Sequence, residues 1–387
     1  MRISHLTGRN GSISLPRNNA WLLGAACGLG LVAAMSQGVS AAPISAGDFI
    51  VYQQGNFDGT NGTPTNGNLG VPISILEISP TGTLVQTISI PATSLVTDSS
   101  GSEGGLSLSN NGTLLSFTGY TGGSVANETN NAGRAVGTVD STGTFSTPAG
   151  ASYSNSATGT QTRAAYSGDG TNWYMTDKSG IFYNGATSIL TGTSNTRGIK
   201  NFGGVTYILQ ATAGTAVISS LTPPSPASGA TSVTVTPVAD TGGNKNAVDF
   251  AFASSGQNGA TFDTLYFADN AGIFKYALVG STWTQEGTEI TSVGTKVNDL
   301  TVVPDATAGF DVYYTDNLAA GNVLDKFVDS AAYNAAPNPG AISTLYTAPV
   351  GDLLEGVSVA PTPEPSTVML LAGGAMFGLL RRRRAGR

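Results

Sequence analysis

Six times along this chain a charged or amide residue introduces a small residue and a short apolar strand, and no other feature restricts the fold as much. The instances begin at Glu103, Arg163, Arg197, Asn246, Asn298 and Glu355. Most are followed by a turn and a second, aromatic strand, as at Leu114-Leu115-Ser116-Phe117, Trp173-Tyr174-Met175, Val205-Thr206-Tyr207-Ile208, Leu265-Tyr266-Phe267 and Val312-Tyr313-Tyr314. Three of these second strands run into an Asp (177, 269, 316), a turn and a third strand near 179–183, 271–275 and 322–326. Such a unit cannot bury its apolar face alone, so it must stack on copies of itself. The starts are 60, 34, 49, 52 and 57 residues apart, the spacing of β-propeller blades with loop insertions.

Between residues 42 and 361 no apolar period of 3.6 residues is sustained, and the apolar runs are bounded by Gly, Asn, Asp or Pro, which predicts an all-β body. Pro223, Pro224 and Pro226 sit between segments of one texture and read as a loop. The sixth instance, Glu355-Gly356-Val357, has no partner strands after it, whereas 49–52, 74–78 and 82–85 near the other end lack a first strand. Joining the two makes one complete blade and buries both open sheet edges. Six blades are therefore expected. The long interval from Asn298 to Glu355 leaves a seventh open, and a right-handed parallel β-helix is the rival fold.

The two ends read as addresses. Arg2, Arg9 and Arg17 precede an apolar stretch over 21–35, and Val39-Ser40-Ala41 offers a small-x-small cut at Ala41/Ala42, so 1–41 is expected to be a signal peptide delivered to the Sec export machinery. Cys27 lies inside that stretch, without the large aliphatic residue three positions earlier that a lipobox has. At the other end Pro363-Glu364-Pro365-Ser366 precedes a run of small and apolar residues over 367–380 and then Arg381, Arg382, Arg383 and Arg384. As a helix that run is about 20 Å long, short of the roughly 30 Å hydrocarbon core, and the arginines hold its end on the cytoplasmic side.

The order of motif, short span and basic stop over 362–387 resembles the PEP-CTERM sorting signal of Gram-negative exported proteins. The resemblance implies that exosortase, a membrane protease, recognises Pro363-Glu364-Pro365 and removes the tail, after a transient inner-membrane stage, on the way to the cell surface or medium. It implies nothing about what the body at 42–361 does. Whether the mature form is released or stays attached is left open.

Processing at both ends would leave a body with neither His nor Cys, since His5 and Cys27 are the only ones. That excludes Ser-His-Asp and Cys-His catalysis, imidazole or thiolate metal sites, and disulfides. Residues 42–380 hold 9 Lys and Arg (17 minus 8 in the two ends) against 24 Asp and Glu, a net charge of 9 − 24 = −15 that makes nucleic acid a poor partner. Only 11% of the chain is charged, against about 25% in an average protein.

In a propeller the first strand of each blade lines the channel, so Glu103, Arg163, Arg197, Asn246, Asn298 and Glu355 are expected as a ring at one mouth. Two acids, two bases and two amides suit a sugar, peptide or small anion. The plainer reading is that they pair with one another and tie the blades together. Glu103 and Glu355 would meet through the closing blade, and such a carboxylate pair, or a tyrosine, is the only acid–base chemistry left. No cofactor is expected. Asp58-Gly59-Thr60-Asn61-Gly62 and Asp169-Gly170-Thr171-Asn172 leave calcium open, although each lacks the closing acid of a tight loop and reads first as a turn. Trp173-Tyr174, Trp283 and Tyr313-Tyr314 could stack on sugars or be interior strand residues. Three roles follow: a non-catalytic surface or matrix protein binding exopolysaccharide in a biofilm, a propeller hydrolase or lyase using carboxylates, and a matrix protein without a ligand.

Overall fold

The computed structural model describes residues 41–55, 70–98, 102–121, 133–154, 161–184, 187–190, 195–212, 215–226, 232–240, 247–269, 272–291, 297–305, 309–318 and 321–363. The described residues contain strands and no α-helix.

Three strands open the chain, β1 (Phe49–Gln54), β2 (Ile73–Ile78) and β3 (Leu84–Ser89), paired in that order. Blade II holds β4 (Ser107–Leu108), β5 (Leu114–Tyr120), β6 (Gly133–Asp140) and β7 (Phe145–Ser146), with β8 (Ser152–Ser154) also on β6. Blade III holds β9 (Thr162–Tyr166), β10 (Tyr174–Asp177), β11 (Gly180–Tyr183) and β12 (Thr187–Leu190). Blade IV holds β13 (Thr196–Phe202), β14 (Val205–Thr212), β15 (Thr215–Thr222) and β16 (Thr234–Asp240). Blade V holds β17 (Ala247–Ala253), β18 (Thr264–Asp269), β19 (Gly272–Val279) and β20 (Thr282–Gln285). Blade VI holds β21 (Val297–Pro304), β22 (Phe310–Leu318), β23 (Gly321–Asp329) and β24 (Ser343–Thr347). The last strand, β25 (Leu353–Val359), completes blade I by pairing antiparallel with β1, Phe49 opposite Val359 and Gln54 opposite Leu353.

The body is a six-bladed propeller closed by strands from both ends of the chain. Each blade-to-blade interface has its own apolar cluster. Tyr52, Ile75, Leu106 and Phe117 join blades I and II, and Val136, Trp173 and Met175 join II and III. Tyr174, Ile199 and Leu221 join III and IV, and Leu209, Ile218, Phe250 and Phe267 join IV and V. Tyr266, Ile273, Leu300 and Tyr314 join V and VI, and Leu76, Tyr313, Leu354 and Val357 return the circle to I. The aromatic second strands are aromatic because their side chains fill these interfaces.

The glycines after Glu103 and Glu355 also have a reason. A Cβ on Gly356 would lie 2.2 Å from the Gly104 carbonyl, and one on Gly104, itself at φ +83°, would lie 2.7 Å from the Tyr52 ring. Blades I and II approach this closely at 104 and 356, and glycine at both positions lets them.

No seventh blade lies between Asn298 and Glu355. That interval is lengthened by the stretch at 330–342, which the buried Asp329 holds: its Oδ1 accepts from the Ala331 N–H (3.0 Å) and the Asn338 N–H (2.9 Å). Its Oδ2 meets Lys275 Nζ at 2.8 Å, both side chains fully buried, and accepts from Tyr266 OH (2.6 Å). The parallel β-helix is likewise ruled out, since every strand pair is antiparallel and confined to a four-stranded blade or its one extra strand. Residues 223–226 lie between β15 and β16, inside blade IV, as a loop.

Candidate functional site

The inner strands β25, β4, β9, β13, β17 and β21 each start at one end of the central channel, here the mouth, and end at the opposite face. Near its start each of five of them carries a β-bulge. The extra residue is Arg197 between the Thr196–Gln210 and Gly198–Leu209 pairs, Val248 between Ala247–Asp269 and Asp249–Ala268, and Asn298 between Val297–Asp316 and Asp299–Thr315. Glu355 is the extra residue opposite Tyr52 and Gln53, and Arg163 with Ala164 opposes Thr176. A bulge re-aims its side chain, and here it turns Arg197, Val248, Asn298 and Glu355 onto the central cavity, whereas in blade III Ala164 lines the cavity and the expected Arg163 does not.

Glu103, Arg197, Val248, Asn298 and Glu355 line a central cavity at this level, with Lys200, Asp249 and Asp299 deeper in. Asn246 lies outside the described residues. The bulge of blade V belongs to Val248, two positions on, which places an apolar side chain in the ring. The cavity measures about 20 Å³, room for about one water, so a sugar could meet the mouth only from outside.

Glu103 is buried and held. It accepts hydrogen bonds from Thr97 Oγ1 (2.6 Å), the Asp98 N–H (3.1 Å) and Tyr120 OH. Burial raises its acid above the usual carboxylate range, and those bonds and the Arg163 charge work against the rise. Arg163, 2% exposed, donates to the Ser102 carbonyl (2.9 Å), Gln161 Oε1 (3.0 Å) and Asn195 Oδ1 (3.4 Å). Glu355 accepts from Asn317 Nδ2 (3.3 Å), and Asn298 Nδ2 donates to the Leu354 carbonyl (3.0 Å). Glu103, Glu355 and Asp98 act together on the buried Tyr52, whose hydroxyl is pushed well up, first by burial and then by those charges.

Below the ring Lys200 Nζ from blade IV donates to Asp249 of blade V, to Asp299 Oδ1 of blade VI (3.1 Å) and to the Leu300 carbonyl (3.1 Å). Asp249 also accepts from the Leu300 N–H (3.0 Å). Burial and then the Asp249 charge push the Asp299 acid well up, and the Lys200 charge works against that rise. One lysine thus ties three successive blades. The sequence pattern missed this trio, although Lys200 was visible as one of nine cations in the body, placed inside a strand.

Arg197 differs from every other charged member. Among the described residues it has neither an acid within ion-pair reach nor a hydrogen-bond partner, and its Nε is buried unpaired. Burial, and then the nearby Arg163 charge, lower its guanidinium to about 10. Of the body's three arginines, Arg134 and Arg163 are 1% and 2% exposed while Arg197 is half-buried, so it alone keeps donors open toward the mouth.

The other candidates resolve plainly. Trp173, Tyr174 and Tyr314 are fully buried and Tyr313 is 3% exposed, so these four are interior, while Trp283 on the outer strand β20 is half-buried and packs on Phe252 with ring centroids 5.3 Å apart. Asp169 caps a turn, accepting from the Thr171 N–H (2.8 Å), the Asn172 N–H (2.7 Å) and Asn172 Nδ2 (2.8 Å). Residues 58–62 lie outside the described residues, and no group of three or more metal-ligating side chains occurs among those described. Asp177 is also a turn residue, its Oδ1 accepting from the Ser179 N–H (2.6 Å) and the Gly180 N–H (3.2 Å).

At the chain ends Ala42 N–H donates to Gln86 Oε1 (3.0 Å), whose Nε2 donates back to the Ala42 carbonyl (2.8 Å). Thr362 N–H donates to the Gly112 carbonyl (2.8 Å), and Pro363 is exposed. Glu364, Pro365, Ser366 and Arg381 to Arg384 lie outside the described residues. Among the described residues no helix is long and apolar enough to cross a membrane.

Residues 361–384 match the family of the PEP-CTERM protein-sorting motif. The chain carries that signal, the substrate mark of the membrane protease exosortase, which marks a protein for export through a transient C-terminal anchor. No curated protein matches the sequence. Among solved structures the fold is similar to a chain of the nidogen/laminin complex, at 13% identity over 80% of this chain and 97% of that one with a TM-score of 0.46. It is also similar to the soluble aldose sugar dehydrogenase of Escherichia coli in its apo form, at 12% identity over 71% of this chain and 98% of that one with a TM-score of 0.45.

Proposed function

We propose that this chain is a non-catalytic surface or matrix propeller of a Gram-negative cell, cut at Ala41/Ala42 on export, sorted by exosortase and binding exopolysaccharide at its channel mouth. The sorting motif supports the route: its Pro-Glu-Pro begins at Pro363, directly after Thr362, which among the described residues is the last with a hydrogen bond to the folded body. Changing Glu364→Ala should leave the uncleaved precursor in the inner membrane. Surface or medium protein with the tail removed as in wild type would refute this route.

For binding, the observation that carries most weight is Arg197, a cavity-lining arginine that among the described residues has no acid within ion-pair reach and no hydrogen-bond partner. Its donors suit the hydroxyl and acyl oxygens of a neutral or weakly charged polysaccharide, because a body of net charge 9 − 24 = −15 repels a strongly acidic one. Glycan-array binding by the mature protein tests it directly.

A carboxylate hydrolase is favoured by one observation, the convergence of Glu103, Glu355 and Asp98 on Tyr52. Against it stand the three hydrogen bonds that hold Glu103 and a cavity of about 20 Å³. A turnover screen beside the array separates the two. A propeller serving only as matrix would give neither binding nor turnover.

A further inference from the structure

The chain enters and leaves the propeller on one face, and that face is the one opposite the mouth. Strand β25 starts at the mouth with Glu355 and ends at Val359, opposite Phe49, where β1 begins. From there Ala360 N–H donates to the Asp48 carbonyl (2.9 Å) and Thr362 N–H to Gly112, in the turn between β4 and β5. The incoming chain lies beside it: Ile44 N–H donates to the Ser141 carbonyl (2.9 Å), in the turn between β6 and β7. These turns join first to second strands and third to fourth strands, the connections that lie away from the mouth.

From Thr362 to the apolar run at 367 there are five residues, which reach at most about 17 Å when fully extended. A span held in the bilayer by the arginines behind it therefore leaves the body little freedom to turn over. We infer that the far face, carrying the turns at 79–83, 109–113 and 141–144, rests against the surface of the lipid bilayer while the tail is attached, and that the channel mouth points away from it. This rests on the reading of the tail as a transient anchor, and it adds which surface meets the membrane and which meets the outside.

The chemistry of that face fits contact imposed by a tether. The described turn residues at 79–83, 109–113, 141–144, 167–172, 203–204, 254–262, 280–281, 305 and 309 include no Lys or Arg and two acids outside the core, Asp169 and Asp305. Nothing there attracts anionic headgroups, so the orientation should not depend on salt, unlike that of a polybasic surface.

The test uses the full chain with Glu364→Ala to retain the tail and Cys27→Ser to remove the only native thiol. A single cysteine is placed either at exposed Asn110 on the far face or at Val350, 95% exposed in the loop that enters β25 at the mouth. Each is labelled with a donor fluorophore and the protein placed in phosphatidylcholine–phosphatidylglycerol vesicles containing a lipid-bound acceptor. Inner strands of about seven residues separate the two sites by about 23 Å. Transfer should be several-fold stronger from Asn110→Cys than from Val350→Cys, at low and high salt alike. Equal or reversed transfer overturns the proposal. A flexible Gly/Ser insert of about 20 residues after Thr362, about 25 Å in r.m.s. span, should bring the two signals together. A difference that survives the insert means the face binds lipid by itself, and overturns the tether account. Vesicle flotation separates the two levels: protein that fails to float contradicts the anchor reading itself, whereas protein that floats without an orientation contradicts only the inference made here.

Discussion

Arg163 and Arg197 occupy the same place in adjacent blades, both at a bulge near the start of an inner strand, yet their surroundings are opposite. Arg163 is enclosed, donates to a carbonyl and two side-chain oxygens while its Nε stays unpaired like that of Arg197, and sits within the field of Glu103, Asp98 and Asp177. Arg197 has open donors, and its strongest charged neighbour is the other arginine. Of the two only Arg197 lines the central cavity, whereas Arg163 is drawn into hydrogen bonds with Ser102, Gln161 and Asn195. Around the cavity Glu103 is held by Thr97, Asp98 and Tyr120, and Lys200 by Asp249 and Asp299, while Arg197 has no such partner among the described residues.

The most drastic way to break that arrangement is to remove the wall it is built on. Deleting 353–361 removes Glu355 and β25 and exposes the edge of β1. The lost burial of Leu353, Leu354 and Val357 alone is worth on the order of 5–9 kcal/mol, comparable to the 5–15 kcal/mol stability of a whole domain. The truncated body should not give a cooperative melt, whereas a chain lacking only 363–387 should melt like the intact body. Matching melts for the two truncations would contradict a shared blade.

Next in size is Lys200→Met, which leaves Asp249 and Asp299 buried without their cation. It should cost about 3–5 kcal/mol in a denaturant melt. Less than about 1 kcal/mol would place the trio in water and the channel open along its length.

The comparison itself is sharpened by single substitutions. Arg163→Ala removes charged hydrogen bonds in a buried setting and should cost about 2–3 kcal/mol, while Arg197→Ala should cost under about 1 kcal/mol because no partner is left behind. Equal losses in chemical denaturation would erase the distinction.

The smallest effect is one of pH, and it lies away from both arginines. Burial, then the hydrogen bond and charge of Asp269, raise the half-buried Glu289 to about 7. The folded state then binds more protons than the unfolded chain between about pH 4.5 and 7, so this group's contribution to stability falls as pH rises through that window and is flat above it. Glu289→Gln should remove the decline. An unchanged slope would mean that Glu289 is not raised in the folded state.

Much of this was legible in the chain because blades repeat. The strands at 114–117, 173–177, 205–208, 265–269 and 312–316 all became second strands, and the unmatched ends joined as β25 and β1. Apolar alternation and Gly or Asp turns are local signals, and each blade shows them. The bulges were not legible: an extra residue shifts the phase without altering composition, which is why the sequence pattern pointed to Asn246 while the ring position of blade V went to Val248. Nor was the Lys200 trio, whose members lie 49 and 99 residues apart and meet only when the circle closes. Trp173 and Tyr314 looked equally fit for stacking on a sugar or for packing, and only their full burial decides for packing.

The central claim is that the open arginine makes this exported propeller a binding protein. It is tested most directly by titrating the cell's purified exopolysaccharide into the mature protein and into its Arg197→Ala variant, with reducing ends assayed in the same samples. The account predicts saturable binding that the variant loses while its melt is unchanged, and no new reducing ends. Undiminished binding by the variant, or reducing ends that accumulate with time, would contradict it.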